Sequence, residues 1–290
     1  MLRRRLAPCL ALVLLVGLMV IGLPGVASAW QRVTVLSANL SGAKEVPGPG
    51  DPDGHARAVL RLSGDQVCFA LRWSGITAPN AAHIHLGGPD VAGPVVVPFF
   101  GDPAGPSVIP DTVASVRGCV TADPALVAAI ARHPGAYYTN IHTPDFPAGA
   151  VRGQLHRGGR DLGVPGQLRA RLLGANEVPP ADPDGRGRAF VSARGDTVCF
   201  EVRWSNVAPV VASHIHAGVR GVNGPVVVPF FGDPAGPAVF PAEVSGADGC
   251  IHGLDRSLVK AIREHPRRYY VNLHTTEFRA GAIRGQLHRT

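Results

Sequence analysis

The sequence predicts an all-β protein made of two tandem Greek-key β-sandwich or barrel domains, each with one short helix and one intradomain disulfide. Three observations lead to this prediction. Glycine and proline are abundant, at 36 and 27 residues, while only 17% of residues are charged. Short β-branched and aromatic runs recur between turn-forming residues, which is typical of many short strands. The third observation is that one unit is written twice along the chain.

The duplication defines the domain organisation. The segment GPVVVPFFGDPAGP at 93–106 recurs at 224–237, and neighbouring segments recur with the same offset of 131 or 132 residues. Solenoid repeats are much shorter, at roughly 20–50 residues. We therefore predict two domains, at residues 33–157 and 167–290, with a linker at 158–166 between them.

The first 29 residues predict a signal peptide. A basic start at Arg3–Arg5 precedes an apolar run from Leu10 to Leu23 and a small-residue ending at Ala29, which is the layout of a cleaved leader. The apolar run is short for a membrane span, which needs roughly 20 residues. We expect a protein that is secreted, extracellular or in the cell envelope, with no membrane span after cleavage.

The charge of the chain argues against nucleic acid as a partner. The formal net charge is +7, and removal of the three leader arginines leaves about +4. The sequence has no basic run with interleaved aromatic residues, which is the usual pattern of a nucleic-acid-binding segment.

Short strands and one helix follow in order within each repeat. In the first repeat, β-branched and aromatic residues predict strands at 55–62, 66–74, 83–87, 94–100, 137–143 and 150–156. The segment at 122–134 predicts the helix, with Asp123 as N-cap, Pro124 in the first turn and Pro134 at the end. Asp255 caps the equivalent helix in the second repeat.

Four cysteines remain after the leader. An even number in an exported protein indicates disulfides, and four cysteines allow three pairings. The repeat selects the pairing inside each unit, Cys68 with Cys119 and Cys199 with Cys250.

The histidines give the strongest chemical signal. His83 and His85 are two residues apart, so on a strand their rings share one face. His142 is the expected third ligand, and the equivalent histidines of the second repeat are His214, His216 and His274. Three imidazoles with an open position suit Cu²⁺ or Zn²⁺, and we expect Asp102 or Asp145 to orient the rings. The alternatives are histidines bonded to the backbone for structural reasons, or a surface for a protein or glycan.

A repeated RGQLH motif supplies two arginines. We expect Arg152 to pair with Glu45, and Arg284 with Glu177, so that the first strand of each domain is held to the last. A guanidinium could instead bind a carboxylate or a metal-bound anion.

The sequence contains no recognisable catalytic constellation. It has no G-x-S-x-G elbow, no unpaired cysteine outside the leader and no glycine-rich phosphate loop between a strand and a helix. We therefore expect a protein without catalytic residues and do not predict an enzyme.

The motifs EVP, VCF, HIH-x-G, GPVVVPFF, YY-x-N-(I/L)-HT and RGQL occur in this order in both repeats. This combination resembles the CHRD (chordin) domain family over nearly the whole of each repeat. The resemblance implies an extracellular all-β module, often in tandem, without an established activity. A looser similarity is to copper–zinc superoxide dismutase, which also has an H-x-H copper pair, a Greek-key barrel and an intradomain disulfide.

These observations give one expected function and two alternatives. We expect a secreted, non-catalytic binding module that holds copper or zinc in each domain and contacts an unknown extracellular protein or envelope component. The first alternative is an adhesion or structural protein without metal. The second is a dismutase-like copper oxidoreductase, although the sequence lacks a zinc-ligand cluster and a bridging histidine.

Overall fold

The structure, a computed structural model, describes residues 33–290 apart from 107, 161, 163–165 and 238. The predicted signal peptide and part of the predicted linker lie outside these residues. The described chain forms one compact unit, and it is mostly β-strand, with two α-helices among the described residues. No helix among these residues has the length and apolar character needed to cross a membrane.

The first repeat contains nine strands and one α-helix. The strands are β1 (Thr34–Ser41), β2 (His55–Ser63), β3 (Gln66–Ser74), β4 (Ala81–Leu86), β5 (Val95–Gly101), β6 (Val113–Thr121), β7 (Tyr137–Thr143), β8 (Phe146–Gln154) and β9 (His156–Arg157). Helix α1 (Pro124–Arg132) lies between β6 and β7. Asp123 caps it as predicted, because its side chain accepts a hydrogen bond from the backbone N–H of Ala125.

The second repeat has the same elements in the same order. Its strands are β10 (Leu168–Leu173), β11 (Arg186–Arg194), β12 (Thr197–Ser205), β13 (Val210–Ala217), β14 (Val226–Gly232), β15 (Val244–Ile251), β16 (Tyr269–Thr275), β17 (Ile283–Gln286) and β18 (His288–Arg289). Helix α2 (Arg256–Glu264) is capped by Asp255. Short 3₁₀ turns follow the first strand and the helix of each repeat.

The strands of the first repeat pair antiparallel in the order β5-β4-β7-β8-β1-β2-β3-β6. The chain passes from β3 to β4 across the molecule, since β3 pairs with β6 while β4 pairs with β5 and β7. This crossing connection is the Greek-key arrangement. The second repeat follows the same order, and the prediction of an all-β tandem fold is confirmed.

Alternating side chains build the core. On β2 and β3, residues such as Leu60, Phe69 and Leu71 are almost fully buried, while Arg57 and Arg72 point outward. This two-residue period places one face of each strand in the interior. The disulfides Cys68–Cys119 and Cys199–Cys250 each join directly opposite residues on neighbouring strands, β3 with β6 and β12 with β15.

One strand that sequence reasoning did not identify joins the two repeats. Strand β6 pairs with β3 on one side and with β15 of the second repeat on the other, with Val116 opposite Ala247. The two sheets are therefore continuous across this pair. Three polar contacts cross the same junction: Arg72 with Asp248 at 2.6 Å, Arg117 with Glu201 at 3.3 Å, and Ser115 with Asp248.

Candidate metal centre

Strands β4 and β7 bring three histidines onto one face of a sheet. Ile84 and Ile141 belong to the hydrophobic core, so their neighbours His83, His85 and His142 face the opposite side. β4 and β7 are hydrogen-bonded neighbours. The predicted clustering of these three side chains is therefore a direct result of strand alternation and register.

Chain segments on either side cover this face of the sheet. The histidines are only 4–8% exposed, although they lie outside the hydrophobic core. Gly93 lies in the connection between β4 and β5, and Pro147 lies at the start of β8. Their carbonyl oxygens approach His85 and His142, respectively. At Gly93 any side chain would collide with the carbonyl of Leu86, so this close approach requires glycine.

Hydrogen bonds fix the protonation of two rings. His85 Nδ1 lies 2.8 Å from Gly93 O, and His142 Nδ1 lies 3.0 Å from Pro147 O. A carbonyl can only accept, so both Nδ1 atoms carry the hydrogen and both Nε2 atoms keep a lone pair. His85 Nε2 is buried and makes no geometric hydrogen bond to another residue, while the side chain of Asn140 lies close enough to act on the pKa of the ring. Its lone pair is therefore available to a water or a cation.

The three rings converge on one point. One ligand nitrogen from each of the three histidines lies within 4.8 Å of the other two. His83 Nδ1 is 3.3 Å from His142 Nε2. Because His142 Nε2 accepts in this pair, His83 Nδ1 is the donor when no cation is bound.

The second repeat reproduces this centre. His216 Nδ1 is 2.8 Å from Gly224 O, and His274 Nδ1 is 2.8 Å from Arg279 O. His214 Nδ1 is 3.3 Å from His274 Nε2, and His216 Nε2 is again buried without a partner. These three histidines also offer nitrogens within 4.8 Å of one another.

The environment keeps the imidazoles neutral. Burial, with smaller contributions from His142 and His85, lowers the pKa of His83 to about 4. Burial, with its two neighbouring histidines, likewise lowers the pKa of His214 to about 4. Burial is also the main cause that lowers the pKa of the other four rings. Neutral imidazole is the form that binds a metal ion.

The expectation that carboxylates orient the rings is corrected by the structure. The side chain of Asp102 accepts from the backbone N–H of Ala104, and that of Asp145 accepts from the hydroxyl of Thr77. Each carboxylate thus closes a local turn or ties down a loop. Main-chain carbonyls hold the rings of His85 and His142 instead.

Sequence reasoning missed the tyrosines that stack on the rings. Tyr138 stacks on His85 with ring centres 4.7 Å apart, and the guanidinium of Arg152 lies 3.4 Å from the centre of the Tyr138 ring. Tyr270 stacks on His216 in the same way. The repeated pattern Tyr-x-Asn-x-His, which puts three side chains on one face of β7 and β16, was the available signal.

The predicted pair of Glu45 with Arg152 is not a direct contact. Arg152 Nη2 donates to the carbonyls of Gly88 and Val91, at 2.6 and 2.9 Å. Arg152 Nη1 and Glu45 Oε1 are both buried without a partner. The guanidinium is drawn to the carbonyls of the loop over the metal centre and to Tyr138. Its charge still partly offsets the effect of burial, which raises the pKa of Glu45 to about 7.

The equivalent pair in the second repeat is closer. Arg284 Nε and Glu177 Oε2 are 3.9 Å apart, and Arg284 donates to Asn176 O and Asn223 Oδ1. Burial raises the pKa of Glu177 to about 7 despite the nearby guanidinium. In both repeats the arginine therefore braces the loop beside the histidines.

Comparison with known proteins identifies the family of both repeats. The family model for the CHRD domain matches residues 36–155 and 168–287. The two matches cover most of the chain and coincide with the two copies of the histidine cluster. No curated protein matches the chain.

Proposed function

The chain belongs to the CHRD-domain family, with two tandem CHRD domains, and we propose that it is an exported metal-binding module that holds one copper or zinc ion in each domain. The ligands are His83, His85 and His142 in the first domain and their equivalents in the second. The domains extend over 33–157 and 167–290 and are joined by a linker at 158–166.

One observation supports this proposal above the others: in each domain three imidazoles offer ring nitrogens that all lie within 4.8 Å of one another. Hydrogen bonding for the fold alone does not require three imidazoles to meet at one point. The environment keeps these rings neutral, which is the form that binds a metal ion. The hydrogen bonds from Nδ1 to carbonyls are the usual outer contacts that orient histidine ligands.

The dimensions agree with a single ion once the rings close around it. Nitrogens bound tetrahedrally to one ion at about 2.0–2.1 Å lie about 3.4 Å apart. The nitrogens of each cluster lie within 4.8 Å of one another, so the widest pair has to approach by up to about 1.4 Å. No carboxylate takes part in either cluster, and an all-imidazole set suits copper and zinc.

Export is supported by composition and by covalent structure. The two disulfides are consistent with an oxidising compartment. We propose that the leader is removed after Ala29. Mass spectrometry of the mature protein from its native host tests this directly, since the first residue is then Trp30.

The decisive experiment is metal titration of a double variant. The wild-type chain should bind about two ions of Cu²⁺ or Zn²⁺, whereas His85→Ala/His216→Ala should lose tight binding at both sites. His133→Ala/His265→Ala is the matched control, because these two histidines end the helices and are exposed. Elemental analysis of native protein without a histidine tag would identify the bound metal.

The outcomes separate the proposal from its alternative. Unchanged stoichiometry in His85→Ala/His216→Ala, or absence of tight binding in the wild type, would reject the metal centres. The histidines would then serve the fold of an adhesion or structural module. Loss of superoxide catalysed by copper-loaded protein would extend the proposal to an oxidoreductase.

A further inference from the structure

Five exposed arginines cover one face of the second domain, on the first three strands of its sheet. They are Arg169 and Arg171 on β10, Arg186 and Arg188 on β11, and Arg203 on β12. On β10 and on β11 the two arginines are separated by one residue, so both point to the same face of the sheet. The two pairs and Arg203 are far apart in the sequence, and strand pairing brings them together.

The register places three of these arginines in one row. Arg171 is directly opposite Arg188, and Arg188 is directly opposite Arg203. Neighbouring strands are about 4.8 Å apart, so the row spans roughly 10 Å. The three side chains and Arg186 line a groove of about 600 Å³, and no acidic residue is among the nine residues of its lining.

Two arginines of the row have no partner within the protein. The side chains of Arg171 and Arg188 make no hydrogen bond or ion pair with any residue in the described part of the chain. Arg203, in contrast, is paired with the buried Glu201. Like charges directly opposite each other on neighbouring strands destabilise a sheet. The row therefore costs stability and has no structural partner to explain it.

The first domain provides an internal comparison. The positions equivalent to Arg171, Arg188 and Arg203 hold Asn39, Arg57 and Arg72, and Arg72 is bound to Asp248 at 2.6 Å. Two opposed guanidinium groups without a partner, Arg171 and Arg188, are thus found in the second domain but not at the equivalent positions of the first, so the shared fold does not require them.

We propose that this face, the arginine row of β10–β12, binds a linear anionic polysaccharide. Guanidinium groups bind carboxylate and sulfate through two parallel hydrogen bonds. Their spacing along the row is comparable to the length of one sugar unit in an extended chain. Surfaces for single-stranded nucleic acid use exposed aromatic rings for stacking, but Trp204, the one aromatic residue of the groove, is buried. The polysaccharide assignment also suits an exported protein.

Binding of dextran sulfate and polygalacturonate by the full chain tests this proposal, with neutral dextran as the negative control. The dissociation constant should rise steeply with salt concentration. Arg171→Gln/Arg188→Gln should raise it by about tenfold or more and reduce the salt slope by about two. The control Arg57→Gln/Arg132→Gln removes two other exposed arginines and should change it by less than about threefold.

A second variant and the melting temperature show whether a loss of affinity is caused by misfolding. Arg171→Lys/Arg188→Lys keeps both charges but loses the two-pronged hydrogen bonding, so its affinity should lie between wild type and the glutamine variant. Removing the opposed charges should leave the melting temperature at low salt unchanged or higher. Equal loss of affinity in the control variant, no binding of either polyanion, or tighter binding to oligo(dT) or to anionic lipid vesicles would overturn the proposal.

Discussion

At the scale of single residues, comparison of equivalent positions in the two domains shows the effect of one hydrogen bond. Asn223 Oδ1 accepts from Arg284 Nη1 at 2.8 Å, and Asn223 Nδ2 donates to Val178 O at 2.8 Å. The equivalent residue of the first domain is Ala92, and Arg152 Nη1 there is buried without a partner. The guanidinium nitrogen Nη1 therefore has a hydrogen-bond acceptor in the second domain but not in the first.

We predict that Ala92→Asn stabilises the protein by about 1 kcal/mol, because it supplies the missing acceptor to Arg152. Asn223→Ala should destabilise it by about 1–3 kcal/mol, since it leaves a buried guanidinium nitrogen unpaired. Urea unfolding measures both effects. Ala92→Leu is the control, because it adds similar bulk without an acceptor; equal stabilisation by leucine would contradict the hydrogen-bond explanation.

The buried glutamates predict a specific pH dependence. Burial raises the pKa of Glu45 and Glu177 from 4.5 to about 7 in the folded protein. The folded state therefore holds more protons than the unfolded state between these values. Their contribution to stability is fully present below about pH 4.5 and is lost as the pH rises through 7.

We expect Glu45→Gln/Glu177→Gln to remove this pH dependence. Relative to wild type, the variant should gain on the order of 1–3 kcal/mol per site between pH 4.5 and pH 8. The measurement is the difference in unfolding free energy at the two pH values, in a chelating buffer. Asp90→Asn/Asp111→Asn removes two exposed acids and should show no such difference. The buried histidines titrate in wild type and variant alike, so the comparison isolates the glutamates; equal pH dependence of wild type and Glu45→Gln/Glu177→Gln would refute the mechanism.

At the scale of secondary-structure elements, the disulfides bridge strands that meet only after long loops. Each bond closes a separation of 51 residues between directly opposite strand positions. Replacing Cys199 and Cys250 together by alanine should lower stability by about 2–4 kcal/mol, mainly because the unfolded chain gains freedom. Calorimetry measures this loss. A change below about 0.5 kcal/mol would show that the strand pairing alone holds β12 and β15 together.

At the scale of the whole molecule, the charges on β6 and β15 determine which sheets join. These strands are equivalent in the two domains, yet Arg117 on β6 corresponds to Asp248 on β15, and Ala70 corresponds to Glu201. The acidic residues belong to the second domain, and each pairs with an arginine of the first, Asp248 with Arg72 and Glu201 with Arg117; Glu201 also contacts Arg203 of its own domain. Joining two identical domains by this edge would oppose like charges, so the charges favour the pairing of unlike domains.

Both acidic residues of this junction are about 98–99% buried. We predict that Glu201→Gln/Asp248→Asn destabilises the protein by roughly 3–5 kcal/mol, because it removes the buried carboxylates that attract Arg72 and Arg117 across the junction. It should also split one calorimetric transition into two, as the domains lose their coupling. Asp90→Asn/Glu264→Gln, which changes two exposed acids, should keep a single transition; if the junction variant does so too, the charges do not couple the domains.

Much of the fold followed from local sequence. Runs of β-branched and aromatic residues predicted β2, β3, β4, β5, β7 and β8, Asp123 predicted the start of α1, and the duplication predicted two domains of the same design. These signals are local, because the periodicity of a strand, the cap of a helix and the residues of a turn all depend on near neighbours in the sequence. Strand β6 escaped prediction, since its VASVRGCV segment has no clean alternation.

By itself, the sequence determined the all-β class, the duplication, the family and the facing of His83 and His85, because each is set by periodicity or by repetition. Only the tertiary structure decided what faces those rings: carbonyls of Gly93 and Pro147 hold them, whereas Asp102 and Asp145 do not. It also decided that scattered arginines form one row and that β6 joins the domains. Cross-strand register and loop packing fix these contacts between residues up to 176 positions apart, and no local pattern in a chain encodes such a distance.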